Sequence, residues 1–262
     1  MLLQLLRGAL ALISDLRCPL CGGPREAPLQ VGDGGEPGFC AGCRAALALP
    51  VGGLAGAAEG LPLSAPALPW RTLAAYDGAF RRLLLRQRQA PAPAVLEALA
   101  AALVALLIRA GAGRQGPLLL VPIPSWKRRA NPLPAQLGQA MARHPAVTLL
   151  PLLERSRPTV GQHHLGRDLR LRNQCGSFRL APAQRAALPR WRRQPLWLLD
   201  DILTTGATAQ AAAQALEAEG LTVAGVACLA RTPEHRPGNV VPYYPGVAQA
   251  TGRDSSVGRA GD

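Results

Sequence analysis

The run Pro195-Leu196-Trp197-Leu198-Leu199-Asp200-Asp201-Ile202-Leu203-Thr204-Thr205-Gly206-Ala207-Thr208-Ala209 decides the fold of this 262-residue chain. Pro195 to Leu199 is a short apolar run of the kind a parallel sheet buries on both faces, and Ala207 to Glu219 is an alanine-rich helix former. The stretch between them is therefore a strand-to-helix loop. At such a junction the free backbone N–H groups of Thr205, Gly206, Ala207 and Thr208 lie at the positive end of the helix dipole, which suits a phosphate dianion. Gly206 lets the backbone come close to that anion. Thr204, Thr205 and Thr208 add hydroxyl donors, while ionised Asp200 and Asp201 accept hydrogen bonds from two neighbouring sugar hydroxyls. The pattern predicts a site for a ribose 5-phosphate. Two plainer accounts exist: Thr204 caps an ordinary helix with the aspartates favouring its N-terminus, or the pair holds magnesium beside substrate phosphates. A cap needs no second carboxylate, and the sugar-phosphate reading ranks above both.

With those residues in view, Leu198 to Thr208 resembles the phosphoribosyl pyrophosphate (PRPP) signature of type I phosphoribosyltransferases, with every key position filled. The resemblance assigns Asp200 and Asp201 to the ribose hydroxyls and Thr204, Thr205, Gly206, Ala207 and Thr208 to the 5'-phosphate.

Near the start, Cys18-Pro19-Leu20-Cys21 and Cys40-Ala41-Gly42-Cys43 give the spacing C-x2-C-x18-C-x2-C. Each pair can place two sulfurs on one tetrahedral ion, so the spacing fits a four-thiolate structural zinc site with no open position. Paired disulfides are the alternative, but no secretory pattern is visible and Cys175 and Cys228 stand apart, which favours a reducing cytoplasm. The residues between the pairs carry few apolar side chains, so bound metal would supply most of the local folding energy. Removing it is expected to loosen the ribbon and spare the rest.

A zinc ribbon followed by a PRPP signature is similar to the competence protein F (ComF) family, double zinc ribbon phosphoribosyltransferase-like proteins, over about residues 15 to 233. Trp70 with Ala75 to Gly78, the strand Val121 to Pro124, and the segment from Arg155 through Gln162, Leu165, Arg170 and Asn173 to Phe178 follow the family's pattern. Two places differ from it. Leu84 to Gln89 lacks the lysine expected of the family, and Arg128 to Gln136 replaces its Arg-Gly-Phe-Asn-Gln run, with Pro132 and Pro134 expected to bar a helix from starting there. The resemblance implies transfer of a phosphoribosyl group from magnesium-bound PRPP to an unidentified acceptor, with release of pyrophosphate, in a protein associated with DNA uptake. Ser125, Lys127, Arg128 and Arg129, just past the Val121 to Pro124 strand, are the candidate pyrophosphate loop, although a solvated loop explains the three cations nearly as well. The other function class is a noncatalytic PRPP-binding or single-stranded-DNA-binding accessory protein working with competence proteins.

The formal net charge of +13 proves little about partners, because Lys127 is the only lysine among 29 basic residues, a sign of coding bias toward arginine. Local clusters carry more information. Arg155, Arg157, Arg167, Arg170, Arg172 and Arg179 share one segment, and Arg190, Arg192 and Arg193 surround Trp191; they read as a PRPP pyrophosphate clamp or an ordinary solvated face ahead of a single-strand track with Trp191 as stacking platform. Met1 to Ile13 reads as an amphipathic helix, and Val95 to Ile108 as a buried helix too short to span a membrane. The expected fold is α/β: a type I phosphoribosyltransferase-like parallel sheet flanked by helices, after a small N-terminal zinc ribbon. The expected divisions are helix and ribbon over 1–50, linker over 51–69, the phosphoribosyltransferase-like domain over 70–233 and a disordered tail over 234–262.

Overall fold

The computed structural model describes residues 17–25, 38–57, 68–125, 131–156 and 176–233. The expectations for Met1 to Ile13, for the tail 234–262, for Lys127, Arg128 and Arg129, and for Arg157, Arg167, Arg170 and Arg172 lie outside these residues.

Six strands form one sheet in the order β1-β2-β8-β7-β3-β4, with strands β1 (Leu54–Ala57), β2 (Pro69–Ala75), β3 (Leu118–Pro122), β4 (Val147–Leu149), β7 (Leu196–Leu203) and β8 (Val223–Arg231). β2, β8, β7, β3 and β4 run parallel, and β1 is added antiparallel to β2. A short hairpin of β5 (Leu153–Arg155) and β6 (Phe178–Leu180) stands apart from it. The expected mostly parallel sheet flanked by helices is thus the observed one. β1 falls within the segment 51–69 expected to be a linker: Gly56 gives its backbone room beneath the indole of Trp70, which a Cβ would meet at 2.6 Å.

The helices sort onto the two faces by their apolar stripes. In α2 (Gly78–Gln89) the buried residues Phe80, Leu83, Leu84 and Gln87 recur at helical spacing, and the Asp77 carboxylate accepts the Gly78 N–H at 2.7 Å. The next helix, α3 (Pro93–Arg109), opens on proline and is buried on nearly every side, as the apolar run Val95 to Ile108 predicts. With α4 (Leu133–Met141) these cover one face, around Leu99, Leu103, Leu120 and Leu137. The other face is covered by α5 (Ala207–Glu217), the 3-10 helix Pro182–Arg190 and the β5–β6 hairpin, around Leu198, Phe178, Leu188 and Leu216. Among the described residues no helix is long and apolar enough to cross a membrane.

Two expectations are corrected by packing. Pro132 and Pro134 do not prevent a helix; α4 begins between them. A first turn has no use for those N–H groups, and the Asn131 side chain accepts the Leu133 N–H at 3.2 Å in place of a cap. β7 also does not stop at Leu199. It continues through both aspartates to Leu203 because the β8 ladder runs on, pairing Asp200 with Cys228 and Ile202 with Ala230.

One topological feature positions the site. After β3 the chain passes through α4 to β4, toward one edge of the sheet, whereas after β7 it passes through α5 to β8, in the opposite direction. β3 and β7 are hydrogen-bonded neighbours, so a crevice opens past their carboxyl ends, where α/β sheets bind ligands.

Candidate functional site

The crevice is lined by the sequence that motivates the ribose-phosphate reading. At its β7 side, Gly206 takes φ +78 as the residue that starts α5, a left-handed geometry that glycine adopts without strain. The turn places the N–H groups at the start of α5 past the end of the strand, and the Ala207 N–H is within 3.4 Å of the Thr205 hydroxyl. At its β3 side, the Ile123 N–H donates to the Leu199 carbonyl at 2.9 Å, so the chain leaving β3 continues beside the end of β7. Ser125 is half-buried in the segment just past β3.

The two aspartates have different surroundings. Asp201 is only 2% exposed, and its carboxylate receives Nε and Nη2 of Arg88 at 2.6 and 2.9 Å and Nδ2 of Asn131 at 2.8 Å. Such a forked pair is among the stronger charge-assisted contacts. Asp200 is half-buried, and its Oδ1 accepts the Asp201 N–H at 2.8 Å. Burial, then the neighbouring Asp201 charge, push the Asp200 carboxyl up to about 8. Cys228, its partner across β8, is pushed up for the same reasons. Arg155 donates from Nε to the Pro124 carbonyl at 3.1 Å and lies over the Phe178 ring at 4.2 Å.

Arg88 and Asn131 are site neighbours that the sequence pattern does not reveal. Arg88 and Asn131 lie in the two segments that differ from the family's pattern, yet nothing local in either indicates a partner on β7. Arg155 belongs to the arginine cluster for which a pyrophosphate clamp is one of the readings of the sequence. Of that cluster's described members, Arg179 pairs with Glu154 at 2.6 Å on the surface. Trp191 is half-buried against the core beside Arg190, at 5.5 Å, so its ring is not fully open for stacking.

The four cysteines come together as their spacing predicts. The sulfurs of Cys18, Cys21, Cys40 and Cys43 all lie within 4.8 Å of one another, an arrangement that could bind a metal ion such as zinc. Cys40 caps the short helix α1 (Ala41–Ala46), receiving the Cys43 N–H at 3.4 Å, and the Gly23 N–H reaches Cys21 Sγ at 3.4 Å. Burial alone would raise the Cys18 thiol, but amides of Cys40, Leu20 and Cys21 outweigh it and bring it down to about 6, a thiolate at neutral pH. Burial and the neighbouring thiols push Cys43 up, the response of crowded sulfurs that a cation would reverse. This cluster is not isolated from the sheet: Cys18, Phe39, Leu47 and Leu49 share the apolar core of α3.

No protein-family model matches the chain. The DNA utilization protein YhgH of Salmonella typhimurium (strain LT2) is 30% identical over 237 residues, spanning 75% of this chain and 98% of that protein. The protein of the same name from Salmonella typhi is 29% identical over the same span. The alignment reaches across nearly the whole of both relatives, and on that extent the chain belongs to the family of the DNA utilization protein YhgH.

Proposed function

We propose that this is a ComF-type phosphoribosyltransferase-like protein that binds PRPP at the β3–β7 crevice and serves DNA uptake. The observation that carries the reading is the junction itself: a carboxylate pair, a left-handed Gly206 and a helix start, all at the point where strand order reverses. In this reading the start of α5 and Thr204 to Thr208 hold the 5'-phosphate, and the carboxylate end of β7 supplies the acceptors for the ribose hydroxyls. Ser125, with Lys127, Arg128 and Arg129 beyond it, faces the pyrophosphate. The C1–O bond to pyrophosphate breaks, a bond from the acceptor to C1 forms, and the acceptor's proton passes to water. The protein contributes alignment and preorganised charge. Magnesium bound with PRPP would supply charge to the departing pyrophosphate, and zinc held by Cys18, Cys21, Cys40 and Cys43 would be structural.

A second reading, a noncatalytic nucleic-acid accessory, has one observation in its favour. α2 presents exposed Arg81, Arg82 and Arg86, with Arg81 over the Tyr76 ring at 5.7 Å, a cationic face with an aromatic beside it. It also suits relatives named for DNA utilization.

Calorimetry with PRPP and magnesium, on the full chain and on Asp200→Asn, tests the first reading. Binding that the substitution abolishes, followed by pyrophosphate release dependent on an added base or amine, supports the transferase. Absence of PRPP binding, together with salt-sensitive single-strand binding that survives Asp200→Asn, supports the accessory instead.

A further inference from the structure

We infer that the two adjacent aspartates divide the work: Asp201 is a fixed anchor held by the positioning residues Arg88 and Asn131, and Asp200 alone accepts the ribose hydroxyls. The inference rests on the PRPP reading of the crevice and assigns roles within it.

Acceptor counting leads to this division. An ionised carboxylate offers about four lone-pair directions. Arg88 and Asn131 fill three of those on Asp201, and its side chain is 3% exposed, so an incoming hydroxyl finds at most one acceptor direction and no path to it. Asp200 gives one direction to the Asp201 N–H and keeps the others, in a half-open position. Successive residues of a strand point to opposite sides. The contacts agree with that rule: Asp201 meets Arg88 from α2 and Asn131 from the start of α4, whereas Asp200 pairs across the ladder with Cys228, which belongs to the core under α5. One carboxylate with two oxygens is enough for two neighbouring hydroxyls.

The anchor also has a use. Arg88 comes from the last turn of α2, and Asn131 begins α4 with the same side chain that donates to Asp201. Through one carboxylate, two helices are tied to β7 at the crevice. The guanidinium cancels the Asp201 charge, so a polyanionic ligand is not repelled by that carboxylate.

The test uses the full chain with substitutions Asp200→Asn, Asp201→Asn, Arg88→Gln, Arg88→Lys and the double Arg88→Gln, Asp201→Asn, each followed by thermal melting and by calorimetry with PRPP and magnesium. Asp200→Asn is expected to weaken PRPP binding by more than about tenfold without lowering the melting temperature. Arg88→Gln and Asp201→Asn should each lower the melting temperature, and the double should lose less than the sum, as partners in one contact do. The double should weaken PRPP binding by only a few-fold, and Arg88→Lys should recover part of the affinity that Arg88→Gln loses. A folded double variant that loses binding as fully as Asp200→Asn overturns the inference, because Asp201 then touches ligand. If the wild type binds no PRPP, the ribose reading and the role of Asp200 fall together, and the anchor is decided by melting alone: additive losses overturn it.

Discussion

Asp200 and Cys228 face each other across the β7–β8 ladder, and burial beside a second carboxylate raises both groups toward their neutral forms. A carboxyl at about 8 holds an extra proton in the folded state between its ordinary range and pH 8, so the native state loses stability as pH rises through that window. Asp200→Asn removes the penalty. Its stabilising effect should be near zero at pH 4 and grow as pH rises toward 8, read from denaturant melts across pH. A constant effect at all pH values would contradict this.

The same titration predicts how ligand binding varies. Hydroxyl donors are better received by a carboxylate than by a carboxylic acid. PRPP affinity, followed by calorimetry, should therefore increase as pH rises toward 8, and the slope should vanish in Asp200→Asn.

For the cysteine cluster, metal analysis of the purified chain should find about one zinc per molecule, lost in Cys18→Ser, Cys21→Ser. The shared core changes the expected consequence of removing it. Gly38 sits so close to α3 that a Cβ would come within 2.5 Å of the Ala98 carbonyl, and Arg25 donates to the Gly38 carbonyl at 3.1 Å. Chelation should lower the main melting transition by several degrees, beyond any loosening of the ribbon. An unchanged main transition would show that the ribbon and α3 are energetically independent.

Gly206→Ala should destabilise the chain by about 1 kcal/mol, because a Cβ is strained at φ +78. It should also weaken binding of inorganic phosphate and PRPP, since the substitution crowds the turn that aims the α5 amides. Melting and calorimetry on one preparation separate the two effects.

The parts of the site that lie within one segment are legible in the sequence. Strand, carboxylates, glycine turn and helix follow one another from Leu196 to Glu217, and local chemistry determines each. The cysteine pairs are legible for a similar reason, since each C-x2-C carries its own geometry. Arg88 is not, because its partner is 113 positions away and a buried ion pair leaves no periodic signal. Asn131 is obscured by the prolines that follow it, whose helix-breaking tendency applies to helix interiors and not to the first turn. β1 escapes sequence reading because Leu54-Ala55-Gly56-Ala57 has the composition of a linker and pairs only because β2 offers it an edge.

The strand order also bears on how the chain is made. Among the described residues β7 and β8 are the last strands in sequence, yet they lie in the middle of the sheet, with Trp70 of β2 paired to Val226 and Leu119 of β3 paired to Leu196. Until Arg231 has left the ribosome, β2 and β3 each present an open edge and α3 has only part of its floor. Synthesis therefore passes through a stage in which two unpaired strand edges and an apolar helix await the C-terminal segment, and a truncation before β8 leaves a chain prone to aggregate rather than a smaller folded protein.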